Sequence, residues 1–150
     1  AAALRFTGGT PARIAIVAAQ AGELLPLAGL AEAARRLPGL LIVVPARRME
    51  TRPPTVAERA GLLVVAAGPY AGSVADLVVT PVEAPSMAPS IPIAADDLTA
   101  IRIAALAARL AAVEPALSGA ALRARILGVA TPQPPGPPAI ADPAAINWRK

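Results

Sequence analysis

Apolar residues fall in short runs along this chain, and polar or Gly/Pro-rich segments separate them. The run from Leu62 to Ala67 holds six apolar residues between Gly61 and Gly68. It is too short for a typical helix, and its paired valines suit a buried strand. Further strands are predicted at Arg13–Ala19, at Leu40–Val44, at Val74–Val79, which is entered through Asp76, and at Ile126–Ala130.

Other segments carry apolar residues at helical spacing. A helix is predicted from about Leu24 to Leu37, with Pro26 interrupting it or delaying its start. The spacing of Thr55 and Glu58 is that of a capping box and predicts a short helix through Arg59. A turn and a connecting helix are predicted between residues 115 and 124.

The clearest helix is predicted at about Leu98 to Val113, with Asp96 or Asp97 as its N-cap. Apolar residues such as Leu106 and Leu110 line one face of it at helical spacing. Arg102 and Arg109 lie together on another face.

Proline-rich segments interrupt the pattern twice. Residues 80–92 are predicted to form a loop or an edge segment. Residues 132–138 are predicted to be extended or polyproline-like and unable to pair inside a sheet. Strands that alternate with helices predict one three-layer α/β domain over residues 1–150, with a twisted, mostly parallel or mixed central sheet flanked by helices.

The composition fixes what the core is made of. Hydrophobic residues make up 55% of the chain but aromatic residues only 2%, so Ala, Leu, Val and Ile must build the core. The single tryptophan, Trp148, is predicted to be a packing anchor. The abundance of Ala, Arg and Pro is also the pattern that a genomic base bias produces.

The formal charge of +4 comes from cations that are spread along the chain, with pairs at Arg35–Arg36 and Arg47–Arg48. A nucleic-acid interface typically shows a dense basic stripe and aromatic stacking platforms. Nucleic acid is therefore not an expected partner, whereas the charge is compatible with a small anion such as phosphate.

The chain contains no cysteine and no histidine. Disulfides, Cys/His metal sites and Ser–His or Cys–His nucleophiles are therefore excluded, and acid–base chemistry falls mainly to carboxylates. No metal is expected. No apolar run is long enough to span a bilayer, and the N-terminus lacks the order of a secretion signal, so a cytoplasmic location is the expectation.

Segments along the chain resemble, in order, parts of the nucleoside phosphorylase and nucleosidase superfamily. The resemblance starts with a strand, a small-residue turn and an acid at Ile14–Glu23. A strand with a Gly-rich turn follows at Val65–Gly72, and Val74–Val79 is similar to the family's strand with a Gly-Asp entry. It continues through Asp96–Leu110 and Ile126–Thr131, and Gly29–Arg35 is similar to the hopanoid-associated phosphorylases.

The resemblance implies an enzyme that binds a nucleoside-like molecule and cleaves its N-glycosidic bond, with water or phosphate as the nucleophile. Phosphate is then a candidate co-substrate, and no other cofactor is expected. Glu23 lies where some nucleosidases place a water-activating carboxylate. The implied partner is this small molecule, and a homo-oligomer is an open possibility. The loop residues Gly68, Gly72 and Ser73 would orient ribose or phosphate, Arg47, Arg48 or Arg52 would bind phosphate, and Asp76 would brace a turn.

Each of these residues also has a structural interpretation. Glu23 fits a solvated carboxylate at a helix start, Gly68 and Gly72 fit turn formers, and an arginine fits a surface charge.

The chain departs from the family in three places. Pro69 and Tyr70 replace small residues, Ala75 replaces the glycine before Asp76, and the later Met-Glu-Ser ribose motif would lie beyond Lys150. We therefore expect a chain that is truncated relative to the family. The alternative hypothesis is a catalytically degenerate α/β scaffold used for ligand binding or assembly. A flavodoxin-like or carboxylase-mutase-like domain is a third hypothesis, although a Ser-Asp phosphate loop is missing.

Overall fold

The computed structural model describes residues 12–17, 26–48, 55, 58–68, 74–80 and 94–148. These residues form six strands in one sheet, three α-helices and two short 3-10 turns. The strands are β1 (Ile14–Ile16), β2 (Leu41–Pro45), β3 (Leu62–Ala67), β4 (Leu77–Val79), β5 (Thr131–Gln133) and β6 (Gly136–Ile140). The helices are α1 (Leu27–Arg36), α2 (Ala95–Val113) and α3 (Gly119–Gly128), and the 3-10 turns are Ala46–Arg48 and Pro143–Ala145.

The sheet is mixed and mostly parallel. Its strand order is β1-β2-β3-β4-β6-β5, and neighbouring strands from β1 to β6 run parallel. Only β5 is antiparallel, since it forms a hairpin with β6. The predicted character of the sheet is therefore confirmed.

Helices cover both faces of the sheet. Leu41 and Val43 of β2 point to the face that α2 and α3 cover, whereas Ile42 and Val44 point to the face that α1 covers. Strands that are buried on both faces are typical of parallel sheets. Ala, Leu, Val and Ile supply the buried hydrophobic residues of the described chain. The fold is thus the predicted three-layer α/β architecture.

The helix α1 begins after Pro26, which is its N-cap residue, so the late start is confirmed. Leu27, Leu30 and Ala34 are buried at helical spacing, as an amphipathic surface helix requires. The N–H of Leu37 donates to the carbonyl of Ala33 at the helix end.

The strands β3 and β4 confirm the two central strand predictions, with one shift. Leu62–Ala67 is a strand as predicted, but β4 starts at Leu77 rather than at Val74. The carboxylate of Asp76 accepts the N–H of Val64 at 3.0 Å. In a strand that began at Val74, a backbone carbonyl would accept this N–H, so the side chain of Asp76 replaces one backbone hydrogen bond of the sheet.

The predicted N-cap of α2 is wrong. The helix starts at Ala95 with Ala94 as its N-cap residue, so Asp96 and Asp97 lie in the first turn. The carboxylate of Asp96 accepts hydrogen bonds from outside the helix, which is why it does not cap it. Within the described ranges, no helix has the length and apolar character that crossing a membrane requires.

The predicted strand at Ile126–Ala130 is also wrong, because Ile126 belongs to α3. The Ser118 hydroxyl accepts the N–H of Ala121 at 3.1 Å and starts the helix. Leu122 and Ile126 are one turn apart and fully buried against the sheet. A short apolar run fits a buried strand and a buried helix segment equally well.

The prediction for residues 132–138 needs correction, since β6 lies inside the sheet between β4 and β5. Its last two residues pair with β4 (Val78 with Ala139 and Val79 with Ile140), and a cis Pro134–Pro135 bond lies in the hairpin turn. Thr131 is opposite Ala139 and Gln133 is opposite Gly136, so β6 carries one extra residue. Pro137 and Pro138 occupy this irregular part of the ladder, where proline is tolerated.

Candidate functional site

The parallel strands place their carboxyl ends at one border of the sheet, here called the carboxyl edge. Small-molecule sites of open α/β sheets lie outside this edge. The described residues that form it are Arg47, Gly68, Thr80, Asp96, Asp97, Arg102 and Asp142.

Described residues before and after β4 lie on opposite faces of the sheet. Val74 and Ala75, which precede β4, join the apolar cluster on the α1 face. The next described helix after β4, α2, packs on the opposite face. We refer to the position of Gly68 and Thr80, at the carboxyl ends of β3 and β4, as the crevice, after the place where ligands bind in open α/β sheets.

Gly68 is a buried turn residue at this crevice. Its φ of 75° is a conformation that glycine adopts at little cost. Its N–H donates to the carbonyl of Val79 at 2.9 Å. The N–H therefore closes the β3–β4 ladder and is already used.

Asp96 joins the ends of two strands. Its carboxylate accepts the N–H of Ala67 at 2.8 Å and the N–H of Arg47 at 3.2 Å. A carboxylate in the first turn of a helix is also favoured by the helix dipole. The start of α2 is thereby fixed to the carboxyl ends of β2 and β3.

Arg47 and Asp97 form an ion pair above this anchor. The side chain of Arg47 is 38% exposed and that of Asp97 is 28% exposed, so water reaches both groups. Exposed pairs of this kind contribute between zero and about 1 kcal/mol. A ligand can replace either partner at small cost.

Arg102 lies on α2 beside the end of β4. Its guanidinium donates to the carbonyl of Thr80 at 3.3 Å and to the carboxylate of Asp142 at 3.4 Å. These two contacts connect the chain after β4 with the chain after β6. The carboxyl edge thus carries two arginines and three aspartates among the described residues.

The structure brings together only part of the predicted site. Arg47 and Gly68 lie at the same edge, at the ends of neighbouring strands. Glu23, Arg52, Gly72, Ser73 and the side chain of Arg48 lie outside the described residues, and only the backbone of Arg48 is described, as the last residue of a 3-10 turn.

Asp96, Asp97, Arg102 and Asp142 were not predicted as site residues. Asp96 and Asp97 were assigned to a helix start, and only the strand order shows that this start lies at the carboxyl edge. The sequence did contain one signal for these site residues: two adjacent acids, Asp96 and Asp97, at the start of the helix that follows a predicted parallel strand.

The opposite border of the sheet, called the amino edge, contains Asp76. Its side chain is 1% exposed and pairs with Arg59 and Arg123, which are 26% and 19% exposed. Arg123 also donates to the carbonyl of Leu62 at 2.9 Å. Asp76 therefore braces the starts of β3 and β4 and lies away from the crevice.

Backbone contacts hold the rest of the amino edge. Gly119 donates its N–H to the carbonyl of Pro38 at 2.8 Å and lies directly against Leu40. The guanidinium of Arg13 donates to the carbonyls of Gly39, at 3.0 Å, of Pro115 and of Leu117. These contacts join α3 to the starts of β1 and β2.

The described part of the chain contains no group of three His, Cys, Asp or Glu side chains that would hold a metal ion. In comparisons with known protein families, with curated proteins and with solved structures, nothing matches this chain. The resemblance to nucleoside phosphorylases therefore stays a prediction that rests on the sequence segments quoted above.

Proposed function

We propose that the protein binds a small nucleoside-like molecule at the carboxyl edge of its sheet. The observation that supports this proposal is the group of charged side chains at the carboxyl ends of the parallel strands, among them Arg47, Asp97 and Arg102. Ligands of open α/β sheets bind at such points. The charged groups beside the crevice supply the polar contacts that fix a ligand's orientation.

The chemistry of these groups suits a sugar that carries, or is attacked by, a phosphate. Arg47 presents a guanidinium that can bind a phosphate through two parallel N–H···O bonds once Asp97 releases it. The Asp97 carboxylate, which is 28% exposed, can also accept hydrogen bonds from sugar hydroxyls. The proposed reaction is cleavage of the N-glycosidic bond, with Glu23 as the general base that the family resemblance implies.

A second candidate function is ligand binding without turnover. One departure from the family favours it: Pro69 and Tyr70 replace the small residues of the Gly-rich turn that would orient the sugar or the phosphate. On this proposal, the same crevice binds the nucleoside-like molecule and no base is released.

Calorimetry and base release together test these proposals. Adenosine, methylthioadenosine and inosine are titrated with and without phosphate, and release of the free base is followed in parallel. Heat of binding with base release supports the enzyme, and heat without base release supports the binding scaffold. Absence of both from a folded sample overturns the two proposals together.

Single substitutions test where the ligand binds and whether Glu23 acts as the base. Arg47→Gln should weaken binding by about tenfold, the effect of losing one charge-assisted contact. Arg36→Gln is the matched control, because Arg36 lies on α1 and pairs only with Glu32 at the surface. Glu23→Gln should abolish base release while binding persists. Equal affinity in the Arg47 and Arg36 variants would contradict a site at the carboxyl edge.

A further inference from the structure

A groove lies between the last two turns of α2 and the segment 143–148. Its volume is about 570 Å³, within the size range of small-molecule sites. Arg109 and Val113 line it from the helix, and Ile146, Asn147 and Trp148 line it from the segment. Arg102 and Asp142 of the carboxyl edge do not line it, and Arg109 is about 10 Å beyond Arg102 along the helix, so the groove lies outside that edge.

The wall of the groove that the segment forms is anchored on one stripe of α2. Arg102 pairs with Asp142, the carbonyl of Leu106 accepts the indole N–H of Trp148 at 3.3 Å, and Arg109 donates to the carbonyls of Pro143 and Ala144. Positions 102, 106 and 109 follow one another at helical spacing and share a face. The groove is therefore preformed.

Arg109 brings a positive charge into this groove. Its guanidinium donates to two carbonyls, and no carboxylate among the described residues pairs with it. Arginine has five N–H donors, so N–H groups remain for a further acceptor. A cation that is held in place by neutral carbonyls, and that pairs with no described carboxylate, attracts an anion.

The other lining residues offer apolar surface. Val113 lies one turn after Arg109 and is 42% exposed. Ile146 and Trp148 pack against the core cluster while also lining the groove. Aromatic and aliphatic surface beside one guanidinium matches a ligand that has a flat apolar body and a carboxylate at one end.

We propose that this groove binds a small aromatic carboxylate, with the carboxylate on Arg109 and the ring against Trp148 and Val113. Free phosphate has no apolar body to place on these two residues and is expected to bind more weakly. The groove is thus a second ligand site, and its proposal does not depend on the nucleoside proposal.

Trp148 reports on this site directly, since it is the only tryptophan of the chain. Benzoate is titrated while the tryptophan fluorescence is followed, with benzamide as the neutral molecule of the same shape and inorganic phosphate as the anion without an apolar body. A saturable change with benzoate that is at least about tenfold weaker with both controls supports the proposal. An equal response to benzoate and benzamide, or no response, overturns it.

Two variants at Val113 separate the effect of a charge beside Arg109 from the effect of side-chain size. Val113→Glu places a carboxylate one turn from Arg109, where it competes with the ligand, whereas Val113→Gln adds nearly the same volume without charge. The glutamate variant should weaken benzoate binding by about tenfold relative to the glutamine variant. Both substitutions are at an exposed position, so neither disturbs the core. Equal affinities in the two variants would refute the role of Arg109.

Discussion

At the amino edge of the sheet, the carboxylate of Asp76 is 1% exposed and contacts two guanidiniums, whereas at the carboxyl edge Asp97 is 28% exposed and pairs with Arg47, which is 38% exposed. The amino edge also joins helix to strand through direct backbone contacts at Gly119. At the carboxyl edge, side chains such as Asp96 and Arg102 make these connections. The buried ion pairs of Asp76 thus stabilise the fold at one edge, whereas water reaches the pair of Arg47 and Asp97 at the other.

The sharpest test of the amino edge is Gly119→Ala. An added Cβ would lie 2.6 Å from the carbonyl carbon of Leu40 and closer still to its oxygen, and neither backbone atom can move aside as a side chain would. We expect the free energy of unfolding in urea to fall by about 3 kcal/mol or more.

Gly128→Ala is the matched control for this substitution. Gly128 is in the same helix, and nothing lies within 4 Å of an added Cβ. Alanine should leave the stability unchanged or raise it by up to about 1 kcal/mol. Similar destabilisation by both alanines would mean that α3 is not held closely against Leu40.

Asp76→Asn tests the buried charge at the amino edge. The substitution leaves the guanidiniums of Arg59 and Arg123 without their shared counter-charge. Breaking a fully buried pair costs about 3–5 kcal/mol, and the partial exposure of both arginines reduces the expected loss to about 2–3 kcal/mol. Urea unfolding measures it, and a loss below about 1 kcal/mol would remove the contrast between the edges.

Asp96→Ala addresses the anchor of α2 at the carboxyl edge. It removes the acceptor of the Ala67 and Arg47 N–H groups, and water can reach the second of these. We expect a loss of about 1–2 kcal/mol in thermal or urea unfolding. Hydrogen exchange at Ala67 should become faster, and unchanged exchange there would argue that Asp96 does not hold β3.

Asp97→Asn should have the smallest effect on stability. Its exposed pair with Arg47 is expected to contribute less than about 1 kcal/mol, and salt should screen it further. Unfolding curves at low and high salt measure this difference. A loss equal to that of Asp76→Asn would show that both edges depend on their charges for folding.

Strong local signals made part of the fold predictable. The six apolar residues of β3 lie between two glycines with positive φ, Gly61 and Gly68, so both ends of the strand are marked in the sequence. The late start of α1 follows from the fixed backbone of Pro26. Both features depend on neighbouring residues only.

The errors concern segments whose structure depends on distant partners. Ile126 is helical because α3 packs on the sheet, and the apolar run around it does not reveal this. Pro137 and Pro138 enter the sheet because one extra residue in β6 places them between paired positions. Register and packing of this kind are not encoded in a window of a few residues.

The candidate site was predictable only in part for the same reason. Arg47 and Gly68 follow predicted strands, so their common edge could be anticipated from the parallel sheet. Asp96 was assigned to its own helix, whereas its partners are 29 and 49 residues away. Contacts between residues this far apart in the sequence cannot be recognised from a local pattern.

The hairpin of β5 and β6 forms one end of the strand order of the described sheet. β5 is the outermost strand on its side, and its middle residue, Pro132, has no N–H to offer to another strand. A neighbouring molecule that tried to extend the sheet here would lack a hydrogen-bond donor at the centre of a strand of three residues. Pro132 in the outer strand of the described sheet therefore disfavours edge-to-edge pairing with another copy on that side.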